Sequence, residues 1–104
     1  MNSPDIRDME MEMVNWIEGV LPVRDPRRTI AKMCGEVGEL LEAQCLGTKA
    51  DIADEAADVL ILLIDVCHLN GVDLTEAFHR KLEINKQRSW VAASGSLQHI
   101  EDNK

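Results

Sequence analysis

The chain of 104 residues is poor in aromatic and in basic side chains. It has no tyrosine, and Phe and Trp together make up only 3% of it. Lys and Arg number 11 against 19 Asp and Glu, so the formal net charge is -8. A surface with this excess of negative charge repels nucleic-acid backbones and anionic membranes. The composition therefore argues against polymeric nucleic acid and against a membrane as partners.

Long apolar runs are also missing. The longest, VLILLI at 59–64, ends at Asp65 and is far too short to cross a bilayer. The acidic N-terminal stretch MNSPDIRDMEMEM has no basic region followed by an apolar segment, so no secretory signal is visible. The cysteines are odd in number, lack metal-type spacing and fall in apolar periodic segments, at Cys34, Cys45 and Cys67. We expect reduced core thiols in a soluble, cytoplasmic protein.

Apolar residues recur at three- and four-residue steps along the chain, which indicates helices rather than strands. Cap and breaker residues divide this pattern into helices opened by Ser3-Pro4, Asp25-Pro26, Asp51 and Asp73, and ended near 19–22, Leu46, Asn70-Gly71 and Trp90. The predicted fold is all-α, a four-helix bundle in one domain over 1–93. Residues 94–104 are predicted to form a polar, flexible tail.

The third predicted helix is apolar on every side over 59–64. Such a helix needs neighbours around its whole circumference, and three other helices in one chain are too few to supply them. A second copy of the chain can cover the remainder. The sequence therefore predicts a bundle completed by homodimerisation.

Two pairs of carboxylates lie on successive helices. Glu36 and Glu39, in GEVGELLEA at 35–43, flank the apolar stripe, and Glu55 and Asp58, in DEAADV, are also three residues apart. If the two helices pack side by side, the four acids converge, and divalent cations are needed to offset their repulsion. Oxygen-only ligands favour Mg²⁺, since no Cys/His set is present for zinc. A single acidic pair is usually a solvated flank, whereas two pairs together favour a metal site.

The fourth predicted helix carries positive charge. In KLEINKQRSW, Lys81, Asn85 and Arg88 follow at steps of four and three and share one helical face. This face suits phosphate oxygens, although basic residues in a last turn also complement the helix dipole. Trp16 lies on the apolar stripe of the first helix, where it either packs in the core or stacks on a base.

The combination of ExxE, ExxD and KxxxNxxR over about 28–90 resembles the MazG-type all-α nucleoside triphosphate pyrophosphohydrolases, in their single-domain form. The resemblance implies that Glu36, Glu39, Glu55 and Asp58 ligate Mg²⁺, for which Mn²⁺ can substitute. It implies triphosphate contacts from Lys81, Asn85 and Arg88. Independently of the resemblance, Trp16 is a candidate substrate contact through stacking on the base. The resemblance also implies a homodimer or a dimer of dimers.

The implied reaction is hydrolysis of an NTP or dNTP between the α- and β-phosphates, which yields the monophosphate and pyrophosphate. An attacking water activated by the metal needs one acid to orient or deprotonate it, and Glu39 or Glu36 is the candidate. A preference for noncanonical or deoxy nucleotides would indicate house-cleaning of the nucleotide pool.

Several other functions fit parts of the pattern. A phosphoribosyl-ATP or a dUTP-type pyrophosphatase would belong to the same superfamily. A non-catalytic helical adaptor dimer would use its acids only for solubility. A di-iron bundle needs two ExxH motifs, and only Glu76 and His79 have that spacing. Release of pyrophosphate from a nucleotide separates the enzymes from the adaptor.

Overall fold

The computed structural model describes residues 5–88, 90–93 and 96–99. Within these ranges the chain forms α1 (Ile6–Val20), α2 (Pro26–Leu46), α3 (Lys49–Leu69), α4 (Leu74–Gln87), β1 (Trp90–Ala93) and β2 (Ser96–His99). The all-α fold class is confirmed by the four helices. None of the helices in the described ranges has the length and apolarity that a membrane span needs.

The two short strands were not predicted. β1 and β2 pair in antiparallel register, from Trp90 opposite His99 to Ala93 opposite Ser96. The expected continuation of the fourth helix to about Trp90 is wrong, because α4 ends at Gln87. Four-residue strands are too short for alternation to be visible in a sequence, which explains the error. Of the predicted tail, residues 94, 95 and 100–104 lie outside the described residues.

Helix starts differ from prediction in two places. The N-cap of α1 is Asp5, which forms a capping box with Asp8, whereas the predicted cap Ser3 lies outside the described residues. The N-cap of α3 is Thr48, and Asp51 completes its box as the third helical residue. An acid at that position binds the N-cap backbone N–H, so it resembles a cap in sequence.

The start of α2 and the ends of α2 and α3 agree with prediction. Asp25 caps α2 by accepting from the backbone N–H of Arg27, with Pro26 in the first turn. Gly47 ends α2, and its N–H donates to the carbonyl of Ala43 at 2.8 Å. Only Gly47 and Thr48 separate α2 from α3, so the two helices form a tight hairpin.

Contacts divide the chain into two compact units, Met1–Leu74 and Thr75–Lys104. In the first unit α3 packs mainly against α2 and to a smaller extent against α1. The second contains the rest of α4 and the β1–β2 hairpin. The predicted single domain over 1–93 stays a prediction.

A buried ion pair joins the α1–α2 linker to α3 in the first unit. Arg24 donates from Nε to Asp65 Oδ2 at 2.9 Å and from Nη2 to Asp65 Oδ1 at 2.8 Å. Its Nη1 donates to the carbonyl of Leu21 at 2.8 Å. The side chains of Arg24 and Asp65 are 5% and 7% exposed. Their hydrogen bonds and paired charges raise the pKa of the Arg24 guanidinium.

Much of the expected core is exposed in the single chain. Val37 and Leu41 of the α2 stripe are 48% and 65% exposed, and Ile61 of α3 is 43% exposed. Trp16 is 60% exposed, so packing in the core is wrong for this chain alone. The expectation of core thiols is wrong for Cys34 and Cys45, which are exposed, while Cys67 is half-buried. Helical periodicity identifies an apolar face without saying whether the same chain covers it.

Candidate metal centre

Three carboxylates converge between α2 and α3. Glu36 and Glu39 from α2 and Glu55 from α3 each offer an oxygen, and these oxygens all lie within 4.8 Å of one another. The three-residue spacing places the first two on one side of α2, and the short α2–α3 connection brings α3 alongside. The predicted convergence is therefore found for these three acids.

Two of these acids carry oxygens with unmet hydrogen-bonding capacity. Oε2 of Glu36 and Oε2 of Glu55 are buried and have no hydrogen-bond partner among the described residues. A buried acceptor without a donor destabilises a fold, so such groups need an explanation. Carboxylate oxygens held close together are ligands for hard divalent cations such as Mg²⁺ and Mn²⁺. The residues thus fit a metal centre, and a cation would satisfy both oxygens.

The proximity of the acids also changes their proton affinities. A hydrogen bond with Glu39 raises the pKa of Glu36, and desolvation and the charges of Glu39 and Asp58 raise it further, while Lys32 partly offsets them. Burial raises the pKa of Glu55, and the hydrogen bond with Glu39 adds to this effect. Carboxylates this close cannot all be charged without a compensating cation.

Asp58, the fourth predicted ligand, does not belong to the group of converging oxygens in the described residues. Its side chain is exposed. Its negative charge nevertheless contributes to the raised pKa of both Glu36 and Glu55. Asp58 therefore lies at the edge of the cluster, and its part in metal binding stays a prediction.

A cavity of ≈ 450 Å³ opens beside the cluster toward the α2–α3 turn. Its lining comprises Glu39, Glu42, Ala43, Leu46, Gly47, Asp51 and Glu55. The exposed Glu42 lines this cavity together with two members of the cluster, Glu39 and Glu55. Its position three residues after Glu39 could have indicated from the sequence that both acids lie on one side of α2. A second cavity, of ≈ 620 Å³ between α1 and the end of α3, includes none of the clustered acids.

The predicted phosphate contacts belong to the second unit. Lys81 and Arg88 are exposed and Asn85 is half-buried. Lys81 and Asn85 lie on α4, whereas Arg88 follows its last residue and donates its backbone N–H to the carbonyl of Asn85 at 3.3 Å. Contact of these three residues with phosphate stays a prediction, as does contact of the exposed Trp16 with a base.

Comparison with known proteins agrees with this arrangement. Residues 21–84 match the family described as phosphoribosyl-ATP pyrophosphohydrolase (PRA-PH). The chain belongs to this MazG-like family. It is accordingly a pyrophosphohydrolase. The matched range contains all three converging acids and the predicted residue Asp58.

Two phage proteins are similar in sequence. The dATP/dGTP diphosphohydrolase of Cyanophage S-2L is 43% identical over 96 residues, which cover 91% of this chain and 88% of that protein. A dATP/dGTP diphosphohydrolase of Salmonella phage PMBT28 is 35% identical over 98 residues. This second match covers 93% of this chain but only 32% of that longer relative.

Solved structures of MazG-like proteins share the fold. The Cyanophage S-2L MazG-like pyrophosphohydrolase, bound to dGDP and three catalytic Mn²⁺ ions per active site, superposes with a TM-score of 0.80 at 41% identity. That comparison covers 95% of this chain and all of the other. The Bacillus-conserved MazG protein, a nucleotide pyrophosphohydrolase, gives a TM-score of 0.68 at 25% identity, over 86% and 95% of the two chains.

Proposed function

We propose that this pyrophosphohydrolase hydrolyses purine deoxynucleoside triphosphates, dATP and dGTP, to the monophosphate and pyrophosphate in a Mg²⁺-dependent reaction. The observation that carries the proposal is the convergence of Glu36, Glu39 and Glu55, two of whose buried oxygens have no hydrogen-bond partner in the part of the chain that the structure describes. The names of the phage relatives support the choice of substrates. The Mn²⁺ ions of the S-2L protein support a divalent cation, for which Mn²⁺ and Mg²⁺ are alternatives.

Glu36, Glu39 and Glu55 would hold the metal, with Asp58 as a further ligand. A divalent cation bound there would offset the charge of the triphosphate and lower the pKa of water. Glu39 is the exposed member of the cluster, and one of its oxygens lies within 4.8 Å of an oxygen of Glu36 and of an oxygen of Glu55. We assign it as the base that takes the proton from the attacking water. As the new oxygen–phosphorus bond forms at the α- or the β-phosphorus, the bond from that phosphorus to the bridging oxygen breaks. Pyrophosphate leaves with the electron pair in the first case, and the monophosphate leaves with it in the second.

The candidate substrate contacts of the proposal are Lys81, Asn85, Arg88 and Trp16. The charges of Lys81 and Arg88 and the amide of Asn85 would contact the triphosphate, where cations offset charge that develops in the reaction. Trp16 would stack on the purine, because it presents an exposed indole face. Substitution of Trp16 by Leu should then raise KM for dGTP more than it lowers kcat.

Self-association is part of the proposal. Large apolar side chains on α2 and α3, including Val37, Leu41 and Ile61, are exposed in the single chain. A second copy would remove this surface from water, as a homodimer or a dimer of dimers. Analytical ultracentrifugation at micromolar concentration should show no monomer, and a folded monomer at that concentration would contradict this part.

The activity is tested with a panel of NTPs and dNTPs, with Mg²⁺, Mn²⁺ or excess EDTA. We expect pyrophosphate and monophosphate in equal amounts, with dATP and dGTP turned over fastest and no turnover in EDTA. In ¹⁸O-labelled water the label should enter the monophosphate if water attacks the α-phosphorus, and pyrophosphate if it attacks the β-phosphorus. Stepwise release of orthophosphate, or full activity in EDTA, would refute the proposal.

The family description favours phosphoribosyl-ATP as a second candidate substrate. Including phosphoribosyl-ATP and dUTP in the panel separates these activities from hydrolysis of dATP and dGTP. Failure to turn over any of these nucleotides would favour the remaining alternative, a non-catalytic helical adaptor dimer. A preference for dATP and dGTP would place the chain in control of the purine deoxynucleotide pool, which is the house-cleaning role in a specific form.

A further inference from the structure

The most buried polar contact of the first unit lies away from the acids. The guanidinium of Arg24 holds the carboxylate of Asp65 and the carbonyl of Leu21, through three hydrogen bonds of 2.8–2.9 Å. We call these three groups the Arg24 clasp. Leu21 caps the end of α1, and Arg24 precedes Asp25, the N-cap of α2. The clasp therefore ties the end of α1 and the start of α2 to α3.

The clustered acids lie between two points at which α2 and α3 are joined to each other. At one end the chain itself connects the helices through Gly47 and Thr48. At the other end the clasp joins the start of α2 to α3. Glu36 lies roughly 16 Å along α2 from its N-cap, and Glu55 lies roughly 15 Å along α3 from Asp65, at about 1.5 Å per residue. The clasp and the cluster are thus separate but share the same two helices.

The cluster tends to open the hairpin at the end that the clasp closes. Without a cation, the oxygens of Glu36 and Glu39 on α2 and Glu55 on α3 repel one another within 4.8 Å. The peptide chain prevents separation at the turn. At the other end, the helices are held by packing and by the clasp, whose ionic side chains are 5% and 7% exposed. A buried bidentate ion pair holds its geometry firmly, because a change in geometry breaks hydrogen bonds and leaves both charges buried without a partner.

We propose that Arg24 is a positioning residue for the metal centre: its clasp with Asp65 holds α2 and α3 at the separation that divalent cations require. This inference rests on the proposed function, since it takes the acids to be metal ligands. When only a fraction of molecules holds the acids together, the apparent dissociation constant for the metal rises by the inverse of that fraction. Loss of the clasp should therefore weaken metal binding in protein that is still folded.

The test measures Mn²⁺ binding to the full chain by electron paramagnetic resonance of free Mn²⁺, with folding checked by circular dichroism. We expect Arg24→Gln to raise the dissociation constant about 10–100-fold, the usual range for groups that support metal ligands. The matched control is Arg27→Gln, because Arg27 pairs only with Asp25 among the described residues and is 89% exposed. Its dissociation constant should stay within about twofold of wild type, as for other exposed pairs.

Hydrogen exchange distinguishes positioning from stability alone. In metal-free Arg24→Gln, backbone amides in the first half of α2 should exchange faster, and saturating Mn²⁺ should restore their protection. Should Arg24→Gln fail to fold, Arg24→Lys and Asp65→Glu keep both charges but change the paired geometry, and each should still weaken Mn²⁺ binding several-fold.

The outcomes separate this inference from the proposed function. Variants at the clasp with lower thermal stability but wild-type Mn²⁺ affinity would overturn the inference and leave the metal centre intact. Absence of Mn²⁺ binding by the wild-type chain would overturn the metal centre itself, and the inference with it.

Discussion

Substitution of Glu39 by Gln tests the central feature of the site, because it deletes one charge and keeps the shape. Glu39 is the main cause of the raised pKa of Glu36, and it adds to the effect of burial, which raises the pKa of Glu55. A glutamine there can donate N–H groups to its neighbours, two of whose oxygens have no hydrogen-bond partner within 5–88, 90–93 and 96–99. The metal-free protein should therefore become more stable while catalysis is lost.

The expected changes in Tm and in turnover follow from these contacts. One additional net hydrogen bond should raise the Tm of the metal-free protein by roughly 4–8 °C for a domain of this size. Turnover of dGTP should fall at least about a hundredfold, as when a preorganised electrostatic group is removed. Saturation with Mg²⁺ at a hundred times its Kd should raise the wild-type Tm by roughly 10–20 °C, and the Glu39→Gln Tm by less than half of that.

The assay combines thermal unfolding, with and without Mg²⁺, and steady-state release of pyrophosphate at one protein concentration. Asp54→Asn is the matched control, since Asp54 is an exposed acid of α3 beside Glu55 that does not join the cluster. It removes the same charge and should change neither turnover nor the Mg²⁺ shift. Full activity and an undiminished Mg²⁺ shift in Glu39→Gln would show that the cluster is not a metal centre.

Three further predictions concern stability. Arg24→Met leaves the carboxylate of Asp65 buried without its partner, so the free energy of unfolding measured in urea should fall by about 3–5 kcal/mol. Adding Asp65→Leu should recover most of this loss, and a double variant as unstable as Arg24→Met would contradict the prediction. A Cβ at Gly47 would lie 2.9 Å from a backbone oxygen of α2 and 2.9 Å from Asp51 Oδ2, so Gly47→Ala should cost about 1–3 kcal/mol, measured the same way, and an unchanged midpoint would refute it. The backbone N–H of the α3 N-cap threonine lowers the pKa of Asp51 in the folded chain. Ionised Asp51 therefore stabilises the fold fully above its unfolded pKa near 3.8, and this stabilisation is lost as the pH falls through the lower folded pKa. Acid unfolding of Asp51→Asn should show a weaker pH dependence than that of the wild type.

Local features of the fold could be read from the sequence because they depend on neighbours in the chain. Helical periodicity predicted the helices, and Asp25, Pro26 and Gly47 predicted the limits of α2. The cap of α3 was misplaced by three residues, since the members of a capping box are interchangeable in a pattern. The cap of α1 is Asp5 rather than the predicted Ser3. The β1–β2 hairpin was missed because its strands are only four residues long.

The site was partly readable for the same reason. The three-residue spacing of Glu36 and Glu39 places both on one side of a helix, and the short link between two helices makes their acids converge. Projection of a single helix could not show that Glu42 shares a cavity with Glu55, because that depends on where α3 lies. Nor could it show that Asp58 remains outside the group of converging oxygens.

The sequence by itself determined the helical class and the acids that α2 and α3 carry, because these follow from periodicity and spacing within one helix. That α2 and α3 pack side by side, the condition for the acids to converge, is shown by the structure. The pairing of Arg24 with Asp65 was decided only by the tertiary structure. Asp65 is a single charge in an apolar stretch, whereas Arg24 is one of several charges in VRDPRR, and no local pattern links this linker residue to an acid late in α3. Burial made them partners, because a charge that loses water must find an opposite charge in the folded chain.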